Sequence, residues 1–526
     1  MYGRLYSACL YGIDGVMIEV EVDLSSGIPQ TSIVGLPDSA VREAVDRVRA
    51  AVKNCGYTFP LQRVTINLAP ADLRKEGSAF DLAIALGILA TSDQVILPPS
   101  ERLLIIGELS LDGALRPVRG VLPMVDHAFR QGINSVLLPA DNAEEALLIE
   151  GMKVYGLRHL NDLPPLLTNQ TTQKMSPLVL DSLAHLEINR TKHPRPFTCV
   201  EESIEDYSDV LGQRHVKRAL TIAAAGMHNI MLIGPPGTGK TMLIRRLPSI
   251  LPPLSQEESL EVTKIYSSAG KFKGSESGLI TRRPFRSPHH TISAGGLIGG
   301  GGIPKPGEVS LAHQGVLFLD ELPEFSRNVL EVLRQPLEEH KVTISRSRAS
   351  FTFPAHFLLA SSLNPCPCGY LGSEPPLPMC TCSPFRIAQY RERISGPLLD
   401  RIDMHVEVPR PADWQNDSNP LTSAEMRSEV YAAGEIQLQR YKGQPFSHNS
   451  ELSGSILRKF ANLSREAELL LKSSFEALGL SMRAYDRIIK LSRTIADLEG
   501  KDFIATNHIA EAIQYRQLDR RNRDLV

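Results

Sequence analysis

Residues 234–241 read Gly-Pro-Pro-Gly-Thr-Gly-Lys-Thr, and no other stretch of this 526-residue chain restricts its fold as tightly. The pattern works only where a strand ends and a helix begins. In the loop Gly234, Pro235, Pro236, Gly237, Thr238 and Gly239 the glycines let backbone N–H groups turn toward phosphate oxygens, Lys240 brings a cation to the β and γ positions, and the Thr241 hydroxyl ligates Mg²⁺. The neighbouring residues supply that setting: apolar IMLI (230–233) precedes the loop, and a helical pattern starts at Met242. Two further apolar runs, 316–320 and 356–362, have the composition of central parallel strands covered on both faces. The expected fold class is α/β, and the expected cofactors are ATP and Mg²⁺.

A phosphate cradle alone does not hydrolyse its ligand. Residues 316–319 run into Asp320 and Glu321, so a buried strand delivers two carboxylates at one end. Asp320 is suited to hold Mg²⁺ and Glu321 to polarise the attacking water. The run 356–362 leads to Asn364, a polar group suited to orienting that water. In isolation, an Asp-Glu pair is also a helix-entry cap, and an Asn before proline is also a turn residue. The complete loop nearby favours the catalytic reading, so hydrolysis is expected to accompany binding.

Lys and Arg number 57 against 59 Asp and Glu, a formal charge of −2, so any nucleic-acid surface must be a local patch. With 42% hydrophobic and 22% charged residues, the chain is not wholly disordered. The opening residues carry no secretory pattern. The uncharged stretch 219–239 contains His228, Asn229 and two prolines, which suits helix end, strand and loop rather than a bilayer span. Seven cysteines make no even disulfide framework. A cytoplasmic protein without a membrane partner is expected.

Period-two runs at 17–24 and 63–70 read as half-buried strands, and 39–54 and 80–90 as helices, giving an α/β domain over 1–165. Residues 166–205 are polar and proline-bearing, a linker with one short helix near 178–187. The nucleotide-binding core occupies 206–410. Helical patterns at 424–441, 465–478, 481–497 and 507–516 make 411–526 a helical domain of four or five helices.

The segments DVLGQRHVKRAL (209–220), HNIMLIGPPGTGKTML (228–243), RPFRSPHHTIS (283–293), PGEVSLAHQGVLFLDELPEF (306–325), NPCPCGY (364–370), GPLLDRID (396–403) and SMRAYDRIIKLSRTIADL (481–498) occur in this order. With them the chain resembles AAA+ ATPases, and more specifically the ComM/YifB family of magnesium-chelatase-like ATPases, over nearly its whole length. The resemblance implies an AAA+ P-loop core with a parallel sheet and a C-terminal helical lid. It implies that Arg401 is an arginine finger reaching a neighbouring subunit's ATP, worth roughly 10³–10⁵ in rate, and that Arg483 is the sensor arginine of the lid. Each could instead be a surface ion pair. It further implies a homo-hexamer that acts as a helicase on single-stranded and branched DNA, in branch migration during natural transformation. A magnesium-chelatase motor and a remodeller of protein complexes are the rival readings.

LRKEGSAFDLAIALGILA (73–90) and GELSLDGALRPVRGVLPMVDHAFRQGINSVLLP (107–139) resemble the Lon-type proteolytic domain, of ribosomal S5 domain 2-like fold. Lon-type enzymes use a Ser–Lys dyad. Register places Ala79 at the serine and Met124 at the lysine, with Ser78 one residue early, so peptidase activity is not expected.

Cys366-Pro-Cys368 and Cys380-Thr-Cys382 form two chelating pairs on a loop rich in Gly and Pro. Four thiolates suit structural Zn²⁺, although C-x-C is tighter than the usual C-x-x-C, and labile thiols or core cysteines remain alternatives. Glycine-dense 295–308 lacks a Gly-Lys-Thr end and reads as a pore or interface loop. Residues 341–353 alternate as a hairpin with Arg346 and Arg348 at the tip, suited to tracking DNA phosphates or simply to solvation. The basic run 516–524 is either a patch or a fraying tail. His289 and His290 read as hydrogen-bonded structural residues, because neighbours on one backbone rarely converge on a metal.

Overall fold

Within Asp14–Ser25 the residues Ile18, Val20, Val22 and Leu24 are buried while Glu19, Glu21 and Asp23 are not, and Val64, Ile66 and Leu68 repeat the pattern in Arg63–Ala69. This period of two is what a strand with one covered face requires. The computed structural model describes residues 2–95, 103–163, 181–188, 205–272, 278–301, 304–346, 349–372, 378–410 and 420–516. The chain divides into two compact units, one of Met1–Thr198 with Ser259–Ile280, the other of Cys199–Glu258 with Thr281–Val526.

The first unit holds a mixed seven-stranded sheet in the order Gln30–Val34, Arg63–Ala69, Asp14–Ser25, Tyr2–Tyr11, Leu103–Ile105, Ser135–Pro139 and Lys153–Leu157. Tyr2–Tyr11 pairs antiparallel with Asp14–Ser25, whereas the pairings from Tyr2–Tyr11 through to Lys153–Leu157 are parallel. The sheet is covered on both faces. Leu5 and Cys9 join the apolar cluster containing helices Ser39–Asn54 and Asp81–Thr91, and Ala8 joins the cluster of helix Val121–Arg130. Asp38 caps the first of these helices, its Oδ1 accepting from the Val41 N–H at 2.8 Å.

Ser259–Ile280 departs from a linear reading of the chain. It lies between the nucleotide loop and the strand Phe285–Arg286, yet it belongs to the first unit. Leu260 packs on the Val121–Arg130 cluster, Lys264 pairs with Asp126, and the Ser267 hydroxyl donates to Glu145.

In the second unit five parallel strands are ordered Phe285–Arg286, Val316–Leu319, Leu358–Leu363, Ile230–Ile233 and Met404–Glu407. All residues of Val316–Leu319 and Leu358–Leu363 are buried, as expected of strands covered on both faces. The C-terminal helices are Ser423–Arg440, Gly454–Ala461, Arg465–Leu478, Met482–Leu498 and Thr506–Gln514. They share one apolar cluster with helix Arg214–Gly226 and with Ile230, Leu232 and Phe318 of the sheet. Near 178–187 the described residues form a 3₁₀ segment, Asp181–Leu186. Residues 295–308 are partly regular, with a helical turn at Ala294–Ile298 and a ladder pairing Gly299–Gly300 with Lys305–Pro306. The part of the basic run from 517 on lies outside the described residues.

Asp497 organises the helical region. Its carboxylate accepts from Arg440 at 2.5 and 2.8 Å, from Arg493 Nε at 3.1 Å and from Asn449 Nδ2 at 2.8 Å, and Arg493 is fully buried. Removing one partner of a buried ion pair costs about 3–5 kcal/mol, because the remaining charge is left uncompensated. Asp497→Ala is therefore expected to lower the urea midpoint of the second unit's unfolding by that equivalent, while Asp497→Glu lowers it less.

Candidate active site

Because the five-stranded sheet is parallel, its strands present their C-terminal ends along one edge. Ile230–Ile233 comes first in the chain but lies between Leu358–Leu363 and Met404–Glu407. The connection from Ile230–Ile233 runs toward Phe285–Arg286 and that from its neighbour Leu358–Leu363 runs the other way to Met404–Glu407, which opens a crevice at that edge. The loop 234–241, the Asp320-Glu321 pair and Asn364 all emerge there.

Gly239 has φ 86° and caps the helix Lys240–Arg245, a left-handed turn that a side chain would strain. Lys240 Nζ donates to Gly234 O at 2.6 Å, Pro235 O at 2.8 Å and Asn364 Oδ1 at 3.2 Å. Burial lowers its pKa, and the carboxylates of Asp320 and then Glu321 partly offset this. Thr238 Oγ1 donates to Pro235 O at 3.0 Å, which braces the loop internally. Thr241 Oγ1 donates to Asp320 Oδ2 at 2.9 Å, so the two groups expected at Mg²⁺ are in direct contact. An ion between them would take one oxygen from each, a donor set that suits Mg²⁺.

Ser362 was not singled out from sequence. Its hydroxyl donates to Asp320 and accepts from the Glu321 N–H at 3.2 Å, joining both acidic residues to the strand that ends at Asn364. Only the pairing of Val316–Leu319 with Leu358–Leu363 creates this contact.

The two arginines lie elsewhere. Arg401 is buried, donates to Pro397 O at 2.5 Å and pairs with Glu338. Its carbonyl accepts from Asn229 Nδ2 at 3.0 Å, and Asn229 immediately precedes Ile230–Ile233. Arg401 is therefore at the N-terminal end of the strand whose C-terminal end carries the loop, about 13 Å along it for four residues. Exposed Arg483 pairs with Asp400 at 3.4 Å and thus stands beside Arg401, not beside Lys240.

The positions of the Lon-type dyad hold Ala79 and Met124, both buried in one apolar cluster, and the Ser78 hydroxyl is bonded to Glu108. The cysteine sulfurs of 366, 368, 380 and 382 all lie within 4.8 Å of one another, and none is disulfide-bonded. Cys366–Cys368 is 3.3 Å, Cys368–Cys380 3.6 Å and Cys366–Cys380 3.7 Å. Thiolates arranged tetrahedrally about 2.3 Å from zinc stand about 3.8 Å apart, so the donor set and its spacing fit that ion. His289 and His290 stack at 4.1 Å, and His289 Nδ1 is 2.9 Å from Thr291 Oγ1. The expected hairpin is present as Lys341–Arg346 paired with Ala349–Pro354, and Arg348 lies outside the described residues.

Glu321→Gln preserves the loop, Asp320 and Lys240 while removing the base. Equilibrium nucleotide binding should persist while turnover falls by about 10²–10⁴, the usual worth of a positioned base. Parallel binding and phosphate-release assays check this.

Three family models match successive stretches of the chain. The family described as "Magnesium chelatase, subunit ChlI" matches residues 206–415, "Subunit ChlI of Mg-chelatase" matches 20–142, and "Magnesium chelatase, subunit ChlI C-terminal" matches 420–516. Competence protein ComM of Haemophilus influenzae is 42% identical over 523 residues, covering 98% of this chain and 97% of its own. YifB of Escherichia coli is 40% identical over 521 residues, with coverage of 98% and 97%. A partial match, 30% over 207 residues and 36% of each chain, is to Lon protease 2 of Bacillus subtilis. By its identity over nearly the full length, and by the loop, acidic pair and parallel sheet described above, the chain belongs to the ComM/YifB family of magnesium-chelatase-like AAA+ ATPases.

Proposed function

We propose that the protein is a cytoplasmic, hexameric ATP-driven motor that translocates on branched DNA and performs branch migration while incoming DNA is integrated in natural transformation. The observation that carries the oligomeric part is the separation of Arg401 from its own loop. A cation at the opposite edge of the sheet serves a nucleotide only if that nucleotide belongs to the next subunit. Arg483, paired with Asp400, shares that edge and is assigned to the same neighbouring site.

In each cycle Lys240 and the backbone N–H groups of Gly237, Thr238 and Gly239 bind the phosphates, and Thr241 and Asp320 hold Mg²⁺. Asn364 orients water, Glu321 takes its proton, and Arg401 of the next subunit stabilises charge developing on the γ-phosphoryl. For this, Arg401 must exchange Glu338 for phosphate. Cys366, Cys368, Cys380 and Cys382 are assigned one structural Zn²⁺, which would cross-link their loop.

The relative named for competence supports DNA as the cargo, as does the pairing of Lys341–Arg346 with Ala349–Pro354, a hairpin whose sequence carries Arg346 and Arg348. Such guanidinium groups contact phosphates without regard to sequence. ATP-dependent resolution of a synthetic four-way junction, with Lys240→Ala alongside, is the direct test. Wild type should convert junctions to duplex arms, and the variant should not. Turnover that DNA does not stimulate, with junctions left intact, would reassign the motor to a protein or metal-chelation partner.

The shared site has its own test. Lys240→Ala and Arg401→Ala subunits should each be inactive alone. Mixed, they should regain measurable ATPase activity, because some interfaces then join an intact loop to an intact arginine. A mixture as inactive as its components would refute the finger in trans.

A further inference from the structure

We infer that the four-cysteine knuckle and the nucleotide loop form one coupled binding unit, in which a metal ion on Cys366, Cys368, Cys380 and Cys382 and ATP on residues 234–241 each tighten the binding of the other. The inference rests on the zinc and ATP assignments above and adds their dependence on one another.

Residues 363–369 touch the loop at three successive points. The Gly234 N–H donates to Leu363 O at 3.2 Å, Lys240 Nζ donates to Asn364 Oδ1 at 3.2 Å, and Gly369 packs against Pro236. The last contact leaves no room for a side chain, since a Cβ on Gly369 would stand 2.7 Å from Pro236 Cδ. Gly369 has φ 87°, and its N–H closes a turn onto Cys366 O at 3.0 Å. That turn contains both sulfurs of the first chelating pair. From outside the turn, Arg391 donates to Pro365 O at 3.4 Å.

The mechanical consequence follows from the chain. The cysteine pairs are separated by residues 369–379, a stretch with two glycines and three prolines. Metal–sulfur bonds would therefore be the principal cross-link between the pairs. When they hold, the turn at 366–369 is pinned and so are Pro236 and the Asn364 amide that meets Lys240. When they break, the turn can relax, and the loop loses a wall and the lysine a partner. Linkage makes the effect reciprocal: if the metal favours the nucleotide-ready loop, nucleotide must tighten metal binding by the same factor.

The test uses the full-length protein. Zinc per chain is measured by elemental analysis, and binding of a non-hydrolysable ATP analogue with Mg²⁺ by fluorescence. Competition for zinc by a chromogenic chelator is then brought to equilibrium with and without saturating analogue. The analogue should tighten zinc binding by about fivefold or more, the lower range of ordinary site-to-site coupling. Gly369→Ala should keep its zinc but lose this dependence, because the added methyl pushes on Pro236. If that variant does not fold, the wild-type comparison decides by itself. Equal zinc affinities with and without bound analogue would overturn the coupling and leave both assignments standing. A protein that purifies without zinc and takes none up would overturn the metal assignment, and one that binds zinc but no analogue would overturn the nucleotide assignment.

Discussion

Main-chain hydrogen bonds between Ile230–Ile233 and its two neighbours, Leu358–Leu363 and Met404–Glu407, set the position of nearly every functional group in the second unit. A parallel ladder gives the sheet two chemically different edges. At the C-terminal edge Lys240, Thr241, Asp320 and Asn364 are joined by hydrogen bonds. At the N-terminal edge Asn229, Arg401 and Asp403 are joined in the same way. One short strand connects the edge that carries the loop 234–241 to the edge that carries buried Arg401 and exposed Arg483.

The N-terminal edge is also where the helical region is fastened. Asp403 accepts from the Asn229 N–H at 3.0 Å and from Arg487 at 2.7 Å, and Arg483 lies one helical turn before Arg487. Burial alone would raise the Asp403 carboxyl, but Arg487 and then His228 outweigh it and hold it well below the usual carboxylate range. The carboxylate therefore stays charged, and the tie between strand and helix persists at any ordinary pH. Because these helices share their apolar cluster with the sheet, they do not form a separate unit. Asp403 and Asn229 thus tie the helical region to the segment that carries Arg401.

The first unit illustrates how a scaffold outlives a chemistry. Ala79 and Met124 fill with apolar contact the positions where a dyad would need a hydroxyl and an amine. Leu260, from the segment Ser259–Ile280, packs against the same cluster.

Most of the site was legible in the sequence because its chemistry is carried by contiguous residues. The loop 234–241, the acidic pair at 320–321 and the two C-x-C pairs each state their role over two to eight positions, and the strands that present them are continuous apolar runs. Period-two and helical patterns likewise located Ser39–Asn54, Arg63–Ala69 and Arg465–Leu478, whereas Gly454–Ala461 was not located individually and the return of Ser259–Ile280 left no local trace. Composition cannot announce a segment that packs with a distant part of the chain. The same limit hid Ser362, an ordinary hydroxyl until strand pairing sets it against Asp320, and Glu338, an ordinary surface carboxylate until it meets Arg401. Local sequence determined which groups could bind phosphate, metal and water, since those requirements act over a few residues. Only the tertiary structure decided which edge of the sheet each group occupies and which groups restrain one another, because hydrogen bonds and ion pairs between distant segments exist only once the strands are ordered.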